Sequence, residues 1–574
     1  MGAIERLLIA NRGEIAVRIL RACRELQIEA VAVAGPGDRD AMHGTLADHI
    51  VEIDSYMDGP GLVAAALEVG ADAVHPGYGF LSEQSAFAEL VSEAGLRWVG
   101  PPSEAMRKLG DKLEARAIAE AAGVPVVPGS GAQSRSDEEL LREAEALGYP
   151  VLVKAAGGGG GRGMRPVGGP EALPHALAEA RAEATAAFGD GRVFLERRLD
   201  GARHVEIQLL LDGSGRGVHL GERDCSLQRR HQKVVEEAPS PAVTLELRDA
   251  LGEAALAIAR AAGYEGAGTA EFLLLADGTW SFLEMNARLQ VEHPVTEAVT
   301  GIDIVRAQLR IADGVALPWN QEDVHMAGHA VEARVYAEDP SAGFLPSTGR
   351  VEFLDLPRWP GVRIDTAIRK GDAIGLGYDP LLAKVIAVAE DRPAALGRLR
   401  AALAEVRIVG LATNLGFLLD ALGHPDVVEG RADTDWVTDV WRPGVPPLPQ
   451  HVTVSGDPRD PWRAFADTSP DPEVTVAGDH AQYRGWAYEL VYDLAPTPVA
   501  APGGSLTAPL PASVSQVAVG VGDTVAVGQL VVVLEAMKMH LRMHAPAAGT
   551  VRTIHVHPGD LVAKGEVLLE VDER

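Results

Sequence analysis

The chain has 574 residues and carries 52 basic against 81 acidic side chains, a formal net charge of −29 at pH 7. Its 47% hydrophobic and 23% charged residues belong to a chain that buries a core, which excludes a fibrous or disordered protein. The acidic balance, with pI ≈ 5.0, excludes a nucleic-acid scaffold but leaves room for small anions held by clustered Arg and Lys. At about 150 residues per domain the length implies three or four domains. Two cysteines, Cys23 and Cys225, are too few for a disulfide framework or a cysteine-based zinc site, so a reducing cytosol is expected. No apolar run approaches the ~18 residues of a membrane span. Glu5 and Glu14 stand where a signal peptide would need a basic start and an apolar stretch. A cytoplasmic protein with neither membrane nor nucleic-acid partners is expected.

The first segment reads as strand, helix, strand. Leu7 to Ala10 is apolar, Ile15, Ile19, Ala22 and Leu26 recur at helical spacing, and Val31 to Ala34 is a second apolar run. Such alternation predicts a parallel sheet covered by helices. No Gly-x-Gly-x-x-Gly follows the first strand, so no dinucleotide site is expected. A further strand ends at Val74-His75-Pro76-Gly77-Tyr78-Gly79, which is either a ligand loop of an open α/β sheet or a plain turn.

The apolar run Pro150 to Val153 leads into Lys154 and then Gly157 to Gly161, Arg162 and Gly163. Consecutive glycines let backbone N–H groups approach a polyphosphate with no Cβ in the way. No Gly-Lys-Ser/Thr closes the loop, so it is not a Walker A sequence. The lysine placed at the strand end favours a phosphate cover over a flexible surface loop.

Further on, Arg203-His204-Val-Glu206-Ile-Gln208 is followed by Glu222-Arg223 and by Gln228-Arg229-Arg230-His231-Gln232-Lys233. By itself this density of charge reads as a solvated turn; beside the other motifs it reads as an anion site. From Glu284 to Glu292 polar and apolar residues alternate strictly, which predicts a strand with Glu284 and Asn286 on one face. Glu271 lies in a similar apolar setting, Thr269 to Leu275. Two carboxylates and an amide on neighbouring strands make a hard oxygen site suited to magnesium.

Composition changes after Trp441. Residues 443–472 are rich in Pro, Asp and Gly, Val474 to Leu494 reads as a small hairpin module with turns at Gly478 and Gly485, and Ala495 to Gly504 is a Pro-rich linker. The last seventy residues contain a repeat. Ala508-Pro509 recurs at Ala545-Pro546, Val514 at Val551, and the run Gly522 to Gly528 at Gly559 to Gly565, always 37 residues on. Two such β-rich halves predict one small barrel or sandwich with pseudo-twofold symmetry. Glu535-Ala536-Met537-Lys538-Met539 falls at their junction.

Together these motifs resemble biotin carboxylase, the ATP-grasp component of the biotin-dependent carboxylases. The resemblance rests on Ala10 to Ile15, His75 to Glu83, Gly157 to Met164, Gln228 to Pro239, Phe282 to His293 and His329 to Arg334, and covers residues 1 to about 442. Ala536 to Met539 resembles the biotin-attachment hairpin, so the whole chain is similar to the biotin-bearing α subunit of an acyl-CoA carboxylase. The implied architecture is an N-terminal doubly wound α/β domain (1–111), an ATP-grasp domain (112–313) and a C-terminal α+β domain (314–442). A small module (443–494), the linker (495–504) and an all-β biotinyl carrier (505–572) follow.

The resemblance also implies roles. Lys112 and Lys154 would contact ATP phosphates under Gly160 and Gly161, and Glu196, Leu199, His204, Gln228 and His231 would hold adenine and ribose. Glu271, Glu284 and Asn286 would bind Mg²⁺ or Mn²⁺. Lys233, Arg288, Gln290 and Val291 would position bicarbonate, Glu292 would be its base, and Arg334 would face the biotin enolate. Lys538 would carry biotin after the action of a biotin protein ligase. Arg197 and Arg198 depart from the Lys and aromatic residue frequent in the family. No carboxyltransferase is visible in the remaining chain, so a separate β subunit in a homo- or hetero-oligomer is implied, with acetyl- or propionyl-CoA as acceptor and methylcrotonyl-CoA, pyruvate or urea as alternatives. Another ATP-grasp ligase would have no use for a tethered Lys538. A scaffold with a dead site would not keep Glu271, Glu284, Arg288, Glu292 and Arg334.

Overall fold

A computed structural model describes residues 2–131, 136–157, 164–446, 473–478, 480–489, 505–536 and 539–573. Gly160, Gly161, the linker Ala495–Gly504 and Lys538 lie outside the described residues. Among the described residues no helix is long and apolar enough to cross a membrane.

The first apolar runs form β1 (Arg6–Ile9), helix α1 (Gly13–Leu26) and β2 (Glu29–Ala34). With β3 (His49–Glu52), β4 (Ala73–His75) and β5 (Arg97–Trp98) they make a parallel sheet of order β3-β2-β1-β4-β5. Strand order reverses between β1 and β4, and ligands favour the crevice at such a point. The Asn11 amide donates to the carbonyls of Pro76 (2.6 Å) and Tyr78 (2.8 Å), which ties the two strand-end loops together there.

A small sheet follows, with β6 (Val151–Ala155) between β7 (Arg165–Val167) and β8 (Val193–Arg197). Helices Asp137–Leu147 and Leu173–Phe188 supply its core through Leu140, Leu173 and Leu177. Ser136 and Glu139 form a capping box that starts the first of them.

The largest sheet is antiparallel and has eight strands. Its first six are β9 (Arg203–Leu211), β10 (Gly217–Arg229), β11 (Gln232–Ala238), β12 (Gly266–Leu274), β13 (Trp280–Asn286) and β14 (His329–Tyr336), and Leu381–Ala389 and Val362–Thr366 complete it. The order is β13-β12-β9-β10-β11-β14-(381–389)-(362–366), so one sheet runs through the boundary expected at residue 313.

One expectation fails here, and one open alternative closes. Alternation continues to Glu292, yet β13 stops at Asn286; Pro294 sits in the first turn of helix His293–Thr300, and Glu292 is that helix's N-cap. The charge-rich stretch around Arg203–Lys233 is also not a solvated turn. Glu206, Gln208, Glu222 and Arg223 are fully buried on β9 and β10, and the turn shrinks to Arg230 and His231, both at positive φ (48° and 63°).

Val474–Ala477, His480–Tyr483 and Trp486–Glu489 form a three-stranded sheet turning at Gly478 and Gly485. It is joined to the preceding region. Gln482 accepts from the Ile408 N–H (2.8 Å) and donates to the Val406 carbonyl (2.9 Å), while Trp486 enters the core around Phe417 and Trp441. A Cβ on Gly416 would collide with that indole.

The last segment is a pair of four-stranded sheets. Strands Ala512–Val517, Thr524–Val525 and Leu530–Ala536 reappear 37 residues later as Gly549–Ile554, Leu561–Val562 and Val567–Glu573. The halves exchange short strands: Thr524 pairs with Thr550, and Leu561 with Ser513. The repeated Gly522 and Gly559 turn at φ 93° and 98°, values open to glycine. Leu345 and Leu376 of the preceding region touch this domain's core.

Trp486→Ala should remove about 3–5 kcal/mol of packing from the region around Phe417. The check is a lower unfolding midpoint for the large domains; an independent module would leave that midpoint unchanged.

Candidate active site

Register places a row of charge across four strands. Glu284 on β13 faces Glu271 on β12, Glu271 faces Glu206 on β9, and Glu206 faces Arg223 on β10. Two residues along the same pair of strands, Asn286 faces Thr269. Buried carboxylates are tolerated only when they are paired. Lys233, reaching in from β11, donates to Glu206 (2.5 Å), Glu271 (2.8 Å) and Glu292 (2.7 Å). Burial alone would lower the lysine's pKa, but these three carboxylates raise it well above the usual value. Arg223 completes the row, with Glu206 at 2.5 Å and Gln208, Thr269 and Thr296 as further partners.

Glu271 also accepts from the Asn286 amide (2.8 Å) and the Gln290 amide (3.3 Å), and His204 Nε2 lies 3.2 Å away. Burial acts to raise this carboxyl's pKa, yet Lys233 and His204 hold it well below the carboxylate range. Glu284 is met by Lys112 at 2.7 Å, and Asp111 caps the helix Lys112–Ala121 that presents that lysine. Beyond Asn286 the chain loops. Arg288 donates to Gln290 (2.8 Å) and Asn286 (3.1 Å), and its Nε is 3.2 Å from Glu83.

Glu292 ends this loop fully buried, between Lys233 and Arg334 of β14 (2.9 Å). Burial pushes its pKa up, but Lys233, Arg334 and Arg223 outweigh it and keep the group ionised, well below its ordinary value. Arg334 also pairs with Glu236 (2.5 Å) and donates to the Tyr336 hydroxyl (3.3 Å). Lys384 donates to the Val291 carbonyl (2.9 Å) and lies 3.1 Å from Glu14.

The structure therefore gathers Lys112, Lys233, Glu271, Glu284, Asn286, Arg288, Gln290, Glu292 and Arg334 into one network, with the Val291 carbonyl at its edge. Lys154 pairs with Glu196 on the small sheet. His231 stands on the exposed hairpin turn, Gln228 is buried on β10, and Leu199 is half-buried after β8. Arg198 turns to Asp200 (2.7 Å) and Asp435 (3.5 Å). Sequence reasoning passed over Glu206 and Arg223 as site members, and Glu14, Glu236, Glu332 and Lys384. Their signal was weak, because alternation alone does not tell a buried charged face from a wet one. Carboxylate and amide oxygens from Glu271, Glu284 and Asn286 on adjacent strands suit a hard divalent cation, and the lysines around them suit phosphate.

Comparison with known proteins places the chain in a family. Residues 3–106 match the biotin carboxylase N-terminal domain family, 111–320 the carbamoyl-phosphate synthase L chain ATP-binding domain, 332–439 the biotin carboxylase C-terminal domain, and 498–571 the biotin-requiring enzyme family. The methylcrotonoyl-CoA carboxylase α subunit of Dictyostelium discoideum is 36% identical over 98% of this chain and 95% of its own length. The same subunit of Oryza sativa is 47% identical over 76% of this chain, which spans 60% of that relative. The biotin carboxylase of Allochromatium vinosum is 50% identical over 72% of this chain and 93% of its length. The biotin carboxylase domain of Hydrogenobacter thermophilus 2-oxoglutarate carboxylase, solved with MgADP, ADP and bicarbonate, superposes with a TM-score of 0.75 at 43% identity, covering 76% of this chain and 98% of that one. The chain belongs to the biotin-dependent carboxylase family, with biotin carboxylase N-terminal, ATP-grasp and C-terminal domains joined to a biotinyl domain. Its enzyme class is the ligase that carboxylates biotin at the expense of ATP.

Glu206→Ala would leave the fully buried Arg223 with neutral hydrogen-bond partners alone and only the more distant charge of Glu292. A loss of about 3–5 kcal/mol is expected, read as a lower midpoint in denaturant; an unchanged midpoint would show that the hydroxyls and Gln208 suffice.

Proposed function

We propose that the network around Glu292 carboxylates a biotin carried on Lys538 of the same kind of chain, using bicarbonate and ATP. The observation that carries this reading is a fully buried carboxylate, Glu292, held between Lys233 and Arg334 beside the Glu271–Glu284 pair. Lys112 and Lys154 bind the ATP phosphates, with Gly160 and Gly161 as backbone cover. Glu196, Leu199, His204, Gln228 and His231 hold adenine and ribose, and His204 lies 3.2 Å from Glu271. Glu271, Glu284 and Asn286 would hold Mg²⁺ or Mn²⁺, which supplies neutralising charge at the γ-phosphate.

Lys233, Arg288, Gln290 and the Val291 backbone place bicarbonate so that its oxygen meets the γ-phosphorus in line. Fixing two anions at contact is the main demand, since bicarbonate is a poor nucleophile and the phosphate repels it. Glu292 takes the bicarbonate proton. It is ionised and therefore able to accept; the negative charge of bound substrates raises its proton affinity toward the task. ADP leaves as the bicarbonate oxygen bonds to phosphorus, and the mixed anhydride so formed breaks down to CO₂ and phosphate beside the biotin ureido group; the phosphate takes the ureido N–H proton as that nitrogen bonds to CO₂. Arg334 offsets the negative charge that develops on the ureido oxygen.

A separate carboxyltransferase β subunit then moves the carboxyl group to an acyl-CoA, and a biotin protein ligase loads Lys538 beforehand. Acetyl- and propionyl-CoA are the acceptors implied by the overall resemblance, and the relatives named methylcrotonoyl-CoA carboxylase support methylcrotonyl-CoA beside them. The complex purified with its β subunit, assayed on these three thioesters, decides among them.

Glu292→Gln keeps the shape and removes the base, so bicarbonate-dependent ATP turnover should fall ~10²-fold or more with little change in ATP affinity. Normal turnover would displace Glu292 from its role. Intact-mass analysis after co-expression with a biotin ligase should show one biotin adduct, lost in Lys538→Ala; an adduct that persists moves the attachment elsewhere.

A further inference from the structure

Behind Arg334 lies a carboxyl group that none of the steps above uses. On β14, Val331, Ala333 and Val335 pack into the core with helix Arg392–Glu405, while Ala330 packs beside Val295 and Val299 of helix His293–Thr300. Alternation puts Glu332 and Arg334 on the latter face. Register sets Glu332 directly opposite Glu236 of β11, and both are fully buried.

The two glutamates differ in their partners. Glu236 has the guanidinium of Arg334 at 2.5 Å. The oxygens of both carboxylates lack a hydrogen bond of ordinary geometry among the described residues, and Glu332, unlike Glu236, has no ion pair there either. The nearby cations are already engaged: Arg334 with Glu236, Glu292 and Tyr336, and Lys384 with Glu14 and the Val291 carbonyl. The charged groups facing Glu332 are thus Arg334 on its own strand, Glu236 from β11, Lys384 from the neighbouring strand and Glu292 from the start of helix His293–Thr300. Opposed buried carboxylates cannot both ionise cheaply, and the one without a cation in contact keeps the proton.

We propose that Glu332 is a positioning residue that acts as a neutral carboxylic acid, sparing Arg334 a third anion so that its charge remains available to the biotin ureido group. This rests on the reading of Arg334 given above. Burial, and the charge of Glu236 and Glu292, push the Glu332 carboxyl well above its ordinary range, against Lys384 and Arg334; burial also brings Glu236 up to about 7. The sign of the linkage follows. A carboxyl raised on folding adds stability at low pH, and that stability is lost as pH rises through the folded value. Ionised Glu332 would compete with Glu292, Glu236 and the ureido oxygen for one guanidinium.

The test is Glu332→Gln, which keeps the shape and removes the ability to ionise. Biotin-dependent ATP turnover of the variant near neutral pH should stay within about twofold of wild type. On raising the pH the ratio of variant to wild-type turnover should climb, because only the wild type gains the extra anion. The gap between their melting temperatures should widen in the variant's favour over the same range. The infrared difference between wild type and variant should show a protonated-carboxyl band near neutral pH that fades as the pH is raised over the same range. A tenfold or larger loss in the folded variant near neutral pH, a flat ratio across pH, or no such band would each overturn the proposal. Should the glutamine variant not fold, Glu332→Met, equally neutral and of similar length, serves for the same three readouts. Bicarbonate-dependent ATP turnover of the wild type without biotin tests the carboxylase reading separately; its absence would sink that reading and not the protonation of Glu332.

Discussion

One buried ammonium organises the molecule's centre. Removing an ion from water costs several kcal/mol, so Lys233 and the three carboxylates around it are stable only as a set. Glu206 is then matched by Arg223, Glu292 by Arg334, and Arg334 by Glu236. Each pairing fixes the rotamer of the next, and the chain of pairings runs from β13 to β14 across the sheet. Incoming phosphate and a divalent cation would exchange partners with Lys112, Glu271 and Glu284 instead of desolvating fresh charges, which lowers the cost of binding.

The loop that carries Arg288 to Glu292 has no ladder of its own and is held by its surroundings. Lys384 grips the Val291 carbonyl and is itself anchored to Glu14 of α1. A little further along, Glu297 is pinned by Arg18 of α1 (2.8 Å) and by Arg363 (2.7 Å), and Asp303 by Arg18 (2.7 Å). The parallel N-terminal sheet and the far edge of the eight-stranded sheet therefore meet over the helix that Glu292 caps. Such support from packed elements keeps the side chains of this loop in register, which a free loop would not do.

The carrier follows different physics. It is a short chain folded on itself, with Val532, Leu534, Leu568 and Leu569 at the centre of a core shared by both halves. Exchange of the Thr524–Val525 and Leu561–Val562 strands makes each half complete the other's sheet. The three-stranded sheet at 474–489 is locked to residues 406–409 through Gln482.

Local pattern determined much of this by itself. The period of Ile15, Ile19 and Ala22, the 37-residue repeat and the spacing of Glu271, Glu284 and Asn286 are properties of short stretches, and elements with strong periodicity declare themselves there. Only the tertiary structure decided which charged residues are buried. Glu206, Arg223, Glu236 and Glu332 sit in strands whose alternation is the same for a wet face and for a buried row, and the difference arises from cations that arrive from β10, β11 and β14. It also decided that the alternation after Asn286 ends in a loop and a helix cap, since Glu292 is placed by Lys233 and Arg334, partners 59 and 42 residues away in sequence. Charge pairing at that range leaves no trace in a local window, because its energy depends on distance in space and on exclusion of water, and both are fixed only when the sheet has closed around the site.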